Sequence, residues 1–114
     1  MNWVRAGAVC MAAAIIAGAF GAHALKSKLD PAMMEVYKTA VLYHMIHGLA
    51  LFAVAWRKSA GDSRADMAGC LILAGIVLFS GSLYALTLTG IRALGIITPL
   101  GGLAFIAGWL ALAL

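Results

Sequence analysis

The chain alternates between four long apolar runs and short polar segments. About 20 residues of helix cross the hydrocarbon core of a bilayer, which is about 30 Å thick. Only a helix satisfies all of its own backbone hydrogen bonds while surrounded by lipid. The pattern therefore predicts an all-α polytopic membrane protein, a four-transmembrane-helix bundle in which residues 1–114 form a single domain. We place its helices at about residues 4–25, 31–58, 66–89 and 96–114.

The composition indicates that lipid, not water, surrounds most of the chain. Apolar residues make up 65% of the 114 residues and charged residues 11%, and the mean hydropathy is +1.04. Soluble domains are typically about half apolar and about a quarter charged, and a chain this short could not bury so much apolar surface from water. We therefore expect the lipid bilayer to be its main partner.

The charged residues lie mainly at the ends of the apolar runs. The net charge of +4 does not indicate nucleic-acid binding, because the eight basic residues flank the runs and do not cluster among aromatic residues. Lys and Arg at helix ends reach the lipid headgroups and help to set orientation. Four basic residues fall on each side of the predicted bundle. The more polar loop at residues 57–66 favours both termini in the cytoplasm (N-in/C-in).

The first apolar run has an alternative interpretation. Arg5 and the apolar stretch after it are similar to a secretory signal peptide, with "AHA" at residues 22–24 imitating a cleavage site. The run is longer than the usual apolar core of a signal peptide. We therefore expect it to be retained as the first helix.

The start of the last helix is open between two alternatives. Thr98 and Pro99 form a typical N-cap and first position, and a helix that began there would be only about 24 Å long. Its first turn would then lie below the headgroups, with residues 91–97 folded partway into the membrane. In the other alternative, Leu94–Ile97 is already helical and Pro99 only kinks the helix.

Two histidines of the motif YHMIHG, His44 and His47, interrupt the second run one helical turn apart. Residues three apart lie on one face of a helix. If successive helices alternate in direction, polar residues of all four helices reach one depth of one leaflet. We call this set the polar layer; it comprises His23, His44, His47, Ser80, Tyr84 and Thr98. On the third helix, Ser80, Tyr84 and Thr87 share a face, whereas Ser82 points elsewhere.

The polar layer has three functional interpretations. Ionisable groups within a membrane span are costly and normally face the interior of a bundle. The layer could bind a small polar ligand, a lipid headgroup or an ion, including one that is transported. It could instead be interhelical glue in a structural or assembly protein, since polar residues hydrogen-bond between membrane helices. The third alternative is a haem or quinone redox protein.

Catalytic chemistry is not indicated by these residues. Three histidines could hold a zinc ion, so His23, His44 and His47 are the metal ligands if there is a metal, but no Asp or Glu lies at that depth to orient them. Ser80 near a histidine lacks the acid that completes a nucleophilic triad. We therefore name no catalytic residue, expect no cofactor and lean against an enzyme.

Four motifs carry a resemblance to a known family: GAFGAHAL (18–25), TAVLYHMIHGLAL (39–51), FSGSLYALTLTG (79–90) and ITPLGGLAFIAGW (97–109). In this order they resemble the YgdD-like family, also called domain of unknown function 423, which includes the transmembrane protein 256 group of animals. The resemblance implies a small four-helix protein of the bacterial inner (plasma) membrane, and it implies no assigned activity.

The residues that match the family motifs include the polar layer and add Tyr43 to it. The candidate ligand-binding residues are therefore His23, Tyr43, His44, His47, Ser80, Tyr84 and Thr98. A four-helix unit this small could form a homo-oligomer or bind a partner membrane protein, and no feature of the sequence fixes the number of copies.

Overall fold

The computed structural model describes residues 1–114 and is entirely helical. Four segments are long and apolar enough to cross a membrane, as the pattern of apolar runs predicted. The third consists of two α-helices joined by one π-helical turn, and we call the whole segment, Ala65–Thr89, the third span. The elements are α1 (Trp3–His23), α2 (Pro31–Ser59), α3 (Ala65–Gly75), the π turn (Ile76–Ser80), α4 (Gly81–Thr89), a 3₁₀ turn (Arg92–Ile96) and α5 (Thr98–Ala113).

Side-chain caps begin the first two helices. Asn2 accepts a hydrogen bond from the backbone N–H of Arg5, and Asp30 accepts one from that of Met33. Pro31 follows Asp30 at the first position of α2, where its missing N–H costs nothing. At 29 residues, α2 is about 44 Å long and therefore exceeds the hydrocarbon core.

The connection between the third span and α5 settles how the last helix starts. Gly90 ends α4 in the left-handed conformation, with φ of +74°, which glycine adopts without strain. The 3₁₀ turn follows and ends at Ile96, and α5 begins at Thr98 with Pro99 in its first turn. Pro99 therefore occupies a helix start and does not kink a longer α-helix. With 16 residues, α5 is only about 24 Å long.

The helices pack in the order of the chain. α1 lies along α2, α2 lies along the third span, and the third span lies along α5, whereas α2 and α5 meet at few positions. The molecule measures 48 × 26 × 18 Å. Only 28 of 114 residues are buried, and the exposed ones include many large apolar side chains such as Ile16 and Leu103. This surface is suited to contact with lipid.

Small residues allow the closest helix contacts. A Cβ on Gly101 would lie 2.3 Å from the backbone nitrogen of Phe79, so α5 touches the backbone of the π turn directly. Gly69 similarly accommodates the ring of Trp3, which is 3% exposed. Close approach at glycine is a main source of helix association in lipid, where apolar burial drives little.

Charged residues join the helix ends on one side of the bundle. We call this the near side; it contains the start of α1, the end of α2 and the end of α5. Asp66 accepts hydrogen bonds from the Trp3 indole (2.8 Å) and from Lys58 (2.9 Å). Arg57 pairs with Asp62 and donates to the carbonyl of Leu112 (2.7 Å). The opposite end, with His23 and Gly90, is the far side.

Asp62 lies in the near-side loop between α2 and α3. Its carboxylate accepts the backbone N–H of Arg64, which, together with the neighbouring Arg57 and Arg64 side chains, lowers the pKa of Asp62 from its usual value. The loop therefore holds a charged Asp62 at neutral pH, and α2 is fixed to α3 and, through Arg57, to α5.

Candidate functional site

His44 and Tyr84 join α2 to α4 inside the bundle. Nδ1 of His44 lies 2.9 Å from the hydroxyl of Tyr84, and His44 is 7% exposed. The backbone of Cys10, on α1, lies beside the same imidazole. The Tyr84 ring also packs against Tyr37, with 5.4 Å between centroids. His44 thus lies where three of the four spans meet.

Tyr37 connects this pair to α1. It is 3% exposed, and its hydroxyl donates to the carbonyl of Ala17 (2.5 Å). Its ring lies over Gly21, where a Cβ would be 2.4 Å from the ring. His44 holds the ring of Tyr84, Tyr84 packs against Tyr37, and Tyr37 bonds to α1. The position of α1 is therefore coupled to His44 through these two rings.

Ser80 closes the π turn and bonds to α2. It is fully buried, and its hydroxyl donates to the carbonyl of Ala40 (2.8 Å). Ala40 and His44 are one turn apart on α2, as Ser80 and Tyr84 are on the third span. The two bonds therefore lie side by side and fix α2 to the third span. A π turn is a less stable local conformation that often marks a functional position in a helix.

Thr98 is bonded to Ser82 and not to a histidine. The two hydroxyls are 2.6 Å apart, and Ser82 is 6% exposed. Ser82 points away from the face that Ser80 and Tyr84 share, and towards the start of α5. The first turn of α5 is thereby attached to α4.

His47 forms a second centre, one turn deeper than His44. Its Nδ1 lies 2.8 Å from the carbonyl of Tyr43, and its Nε2 accepts the indole N–H of Trp109 on α5 (3.0 Å). A neutral imidazole with the proton on Nδ1 satisfies both contacts, because the carbonyl can only accept. The ring is stacked on Phe105 with 3.5 Å between centroids.

The structure does not bring every residue of the predicted layer together. His23 is exposed at the end of α1 and makes no hydrogen bond, so its place in the layer stays a prediction. His23, His44 and His47, which were named as ligands only if there is a metal, do not lie together, and no other three metal-ligating side chains do. The reason is that the last residues of α1 extend past the Tyr37–Gly21 contact towards the far side.

The buried polar groups of the layer are saturated by protein partners. No buried side-chain nitrogen or oxygen lacks a hydrogen bond. Both ring nitrogens of His47 are engaged. A haem iron, a quinone or an ion that used His47 would have to displace an existing bond, which costs free energy in a low-dielectric interior.

Two open grooves lie beside the layer. The α1–α2 groove, of about 530 Å³, opens on the far half of the molecule and has Tyr37 in its wall; its other lining residues are Gly18, Gly21, Ala22, Lys26, Met34, Lys38, Val41, Leu42 and Met45. The α2–α5 groove, of about 500 Å³, crosses the third span, and its lining includes Tyr43, His47, Phe79, Phe105 and Trp109. His44, Ser80, Tyr84 and Thr98 line neither groove.

Comparison with known proteins identifies the family. The family model described as "Protein of unknown function (DUF423)" matches residues 17–102. This chain belongs to the DUF423 family. The match confirms the resemblance drawn from the four sequence motifs, and no solved structure matches the chain.

Bacterial relatives of this DUF423 chain are named as membrane proteins. A UPF0382 membrane protein of Staphylococcus haemolyticus is 50% identical over 93% of this chain and 87% of its own length. The UPF0382 membrane protein YwdK of Bacillus subtilis is 51% identical over 91% of this chain and 86% of its own. Together with the four apolar helices, these relatives show a small integral membrane protein of unknown function.

Several residues of the site were missed by the sequence reasoning. Trp109 and Phe105 are the partners of His47, and Tyr37 links the His44 centre to α1. Trp109 is ten residues after Pro99, which lies in the first turn of α5. This distance along α5 from the far side brings Trp109 to the depth of His47. Tyr37 lies on the same α2 stripe as His44, seven residues earlier, and this spacing was the signal available for it.

Proposed function

We propose that this protein binds one amphipathic lipid molecule within the bilayer, in the α1–α2 groove. The observation that carries the proposal is the groove itself, a volume of about 530 Å³ with mainly apolar walls and an opening on the outer surface of the helices. Ligand sites are typically concave, mostly apolar and of this size. A lipid chain can enter from the bilayer without crossing water.

The saturated layer favours a lipid over a small polar ligand or an ion. A polar ligand gains affinity from buried protein groups that lack partners, and no buried side-chain nitrogen or oxygen of the layer lacks a hydrogen bond. An apolar chain needs only shape and space, which Gly18 provides on the α1 side of the α1–α2 groove, where only one atom of Val41 lies within 4 Å of an added Cβ.

In this proposal the polar layer positions the wall of the groove. Tyr37 is the layer's contact with the groove, and His44 acts on it through Tyr84. Ser80 fixes α2 to the third span beneath the same wall. Tyr43, His47 and Thr98 act further away, by holding α5 and the third span. None of these groups needs to touch the bound molecule.

The groove is tested by filling it. Ala22 lines the groove and is exposed, so Ala22→Phe should occupy its volume without entering the packed interior. We expect native mass spectrometry of the gently extracted wild-type protein to show one bound lipid mass, and the variant to lose most of it.

Ala13→Phe is the matched control for this experiment. Ala13 is also exposed on α1, and at 100° per residue its side chain points opposite to that of Ala22. The control should retain the lipid. Equal retention by both variants would show that the bound mass does not occupy the groove, and the proposal would fail.

An assembly protein, with the layer as interhelical glue, is the second candidate. The observation that favours it is again the internal pairing of the buried polar groups of the layer. It differs from lipid binding in one result: Ala22→Phe and wild type would then both give the mass of the bare polypeptide.

We also propose that the protein lies in the bacterial plasma membrane with both termini in the cytoplasm. The polar loop on the near side, which contains Arg57, Lys58 and Arg64, supports this orientation. In a background of Cys10→Ala and Cys70→Ala, Ser27→Cys should react with an impermeant maleimide on intact cells. Ser63→Cys should react only after permeabilisation, and the reverse pattern would invert the orientation.

A further inference from the structure

We infer that the α1–α2 groove selects a lipid with an anionic headgroup, through Lys26 and Lys38. The inference rests on the lipid binding proposed above and names the class of lipid. Both lysines line the groove, and no acidic residue does. A single phospholipid with a net negative headgroup, one acyl chain in the groove and its phosphate between the lysines, is the occupant that this lining fits.

The two lysines come from different helices and reach the same opening. Lys26 lies just after α1 ends at His23, and Lys38 is on the early part of α2, which starts at Pro31. Both positions are exposed and on the far side, at the level where α1 ends and headgroups begin. Lysine side chains at helix ends extend towards headgroup phosphates.

The apolar part of the groove lies deeper than Lys38 along α2. Val41, Leu42 and Met45 follow Lys38 within about 10 Å of helix rise. On α1 the facing wall includes Gly18, which leaves room for a chain, whereas Gly21 is covered by the Tyr37 ring. The groove therefore changes from cationic at the far-side opening to apolar towards the bilayer centre, in the same direction as a phospholipid changes from headgroup to acyl chain.

The charges at the opening leave a free positive group. Lys38 lies 3.6 Å from Glu35, but the two side chains are 65% and 76% exposed, so this pair is weak and can be exchanged. Lys26 makes no salt bridge. On the near side, Arg57, Lys58 and Arg64 are each already paired with Asp62 or Asp66, and Arg5, which makes no salt bridge, lines neither groove. The unpaired positive charge next to an apolar groove is therefore found at the α1–α2 opening.

The selectivity can be measured by competition between two lipids. The full-length protein is placed in nanodiscs that contain equal amounts of phosphatidylglycerol and phosphatidylcholine with the same acyl chains. It is then released for native mass spectrometry, and the ratio of the retained lipids is read. We expect phosphatidylglycerol to be enriched several-fold in the wild type, since each basic residue near an anionic headgroup adds a favourable contribution.

Two double variants with the same loss of charge distinguish binding at the two groove lysines from attraction by the overall positive charge of the far side. Lys26→Gln/Lys38→Gln should bring the ratio to about one. Lys28→Gln/Arg92→Gln removes two far-side charges that do not line the groove, and it should keep the enrichment. All four positions are exposed, so folding should be preserved in both variants.

Each outcome decides the inference. Enrichment that is lost only in the Lys26/Lys38 variant supports it. Equal loss in both variants assigns the preference to the general surface charge and overturns it, as does a wild-type ratio near one. If the ratio is near one but Ala22→Phe still removes the lipid, lipid binding in the groove stands and only the headgroup preference fails. If no lipid is retained by any variant, the proposed function fails with it.

Discussion

Gly101→Ala is expected to destabilise the protein by about 1–3 kcal/mol, which is a large loss for the addition of a single carbon atom. The added Cβ would lie 2.3 Å from the backbone nitrogen of Phe79 and 2.8 Å from the carbonyl carbon of Leu78. Backbone atoms cannot turn aside as a side chain can. The first turn of α5 would have to move away from the π turn, and the bond between Thr98 and Ser82 would weaken.

Gly102→Ala provides the control at the next residue. A Cβ on Gly102 meets nothing within 4 Å. Both changes raise helix propensity equally, so the difference between them reports the contact at Gly101. Thermal unfolding in detergent should show a clear fall in Tm for Gly101→Ala and none for Gly102→Ala. Equal Tm values for the two variants would mean that α5 does not approach the π turn as closely as described.

His47→Leu is expected to lower the free energy of unfolding by about 1–3 kcal/mol. The change removes the bond to Trp109, and interhelical hydrogen bonds in membranes contribute on average about 0.6 and at most about 1.7 kcal/mol. It also removes the stacking on Phe105, for which aromatic pairs suggest about 0.5–1.5 kcal/mol. The indole N–H of Trp109 would be left without its partner.

A double-mutant cycle with Trp109→Phe isolates the bond. Trp109→Phe removes the same hydrogen bond from the side of α5, so the double variant should lose less than the sum of the two single variants. Strict additivity would show that the bond is not formed. Because His47 does not line the α1–α2 groove, His47→Leu should also keep the bound lipid. Loss of the lipid at unchanged stability would instead make His47 a ligand-binding residue.

The spans were predictable because each depends on local information. The length of an apolar run and a cap such as Asp30–Pro31 act within a few residues of the chain, and about 20 residues of helix are needed to cross the bilayer. The π turn at Ile76–Ser80 was not predictable. No residue of that run breaks a helix, and the turn accompanies a contact with Gly101 that comes from another span.

The polar layer was predictable in depth but not in its pairs. Counting residues from the helix ends predicts that His44 lies at the level of Ser80 and Tyr84. In the structure all three lie where α2 meets the third span, His44 bonded to Tyr84 and Ser80 bonded to α2. Which groups bond depends on how each helix is rotated about its axis, which the sequence alone does not give. For this reason the sequence did not predict that Trp109 is the partner of His47, or that Ser82 is the partner of Thr98.

The α1–α2 groove could not be predicted from the sequence, because it is a space between helices. It exists where Gly18 carries no side chain on the surface of α1, opposite Val41 on α2. A sequence shows that glycines are present, and it does not show whether a neighbouring helix fills the room that they leave. Gly21 is covered by the ring of Tyr37. A Cβ added to Gly18 would have only one atom within 4 Å, in the side chain of Val41.

Photo-crosslinking with a phospholipid that carries a diazirine in its acyl chain tests lipid binding in the α1–α2 groove most directly. The protein in nanodiscs would be irradiated with a small amount of this lipid, digested, and sequenced by tandem mass spectrometry to locate the adducts. We predict that the adducts concentrate on the groove wall, at Val41, Leu42 and Met45, and that Ala22→Phe abolishes them. Adducts spread evenly over lipid-facing residues such as Ile16 and Leu103, and unaffected by Ala22→Phe, would contradict the proposal.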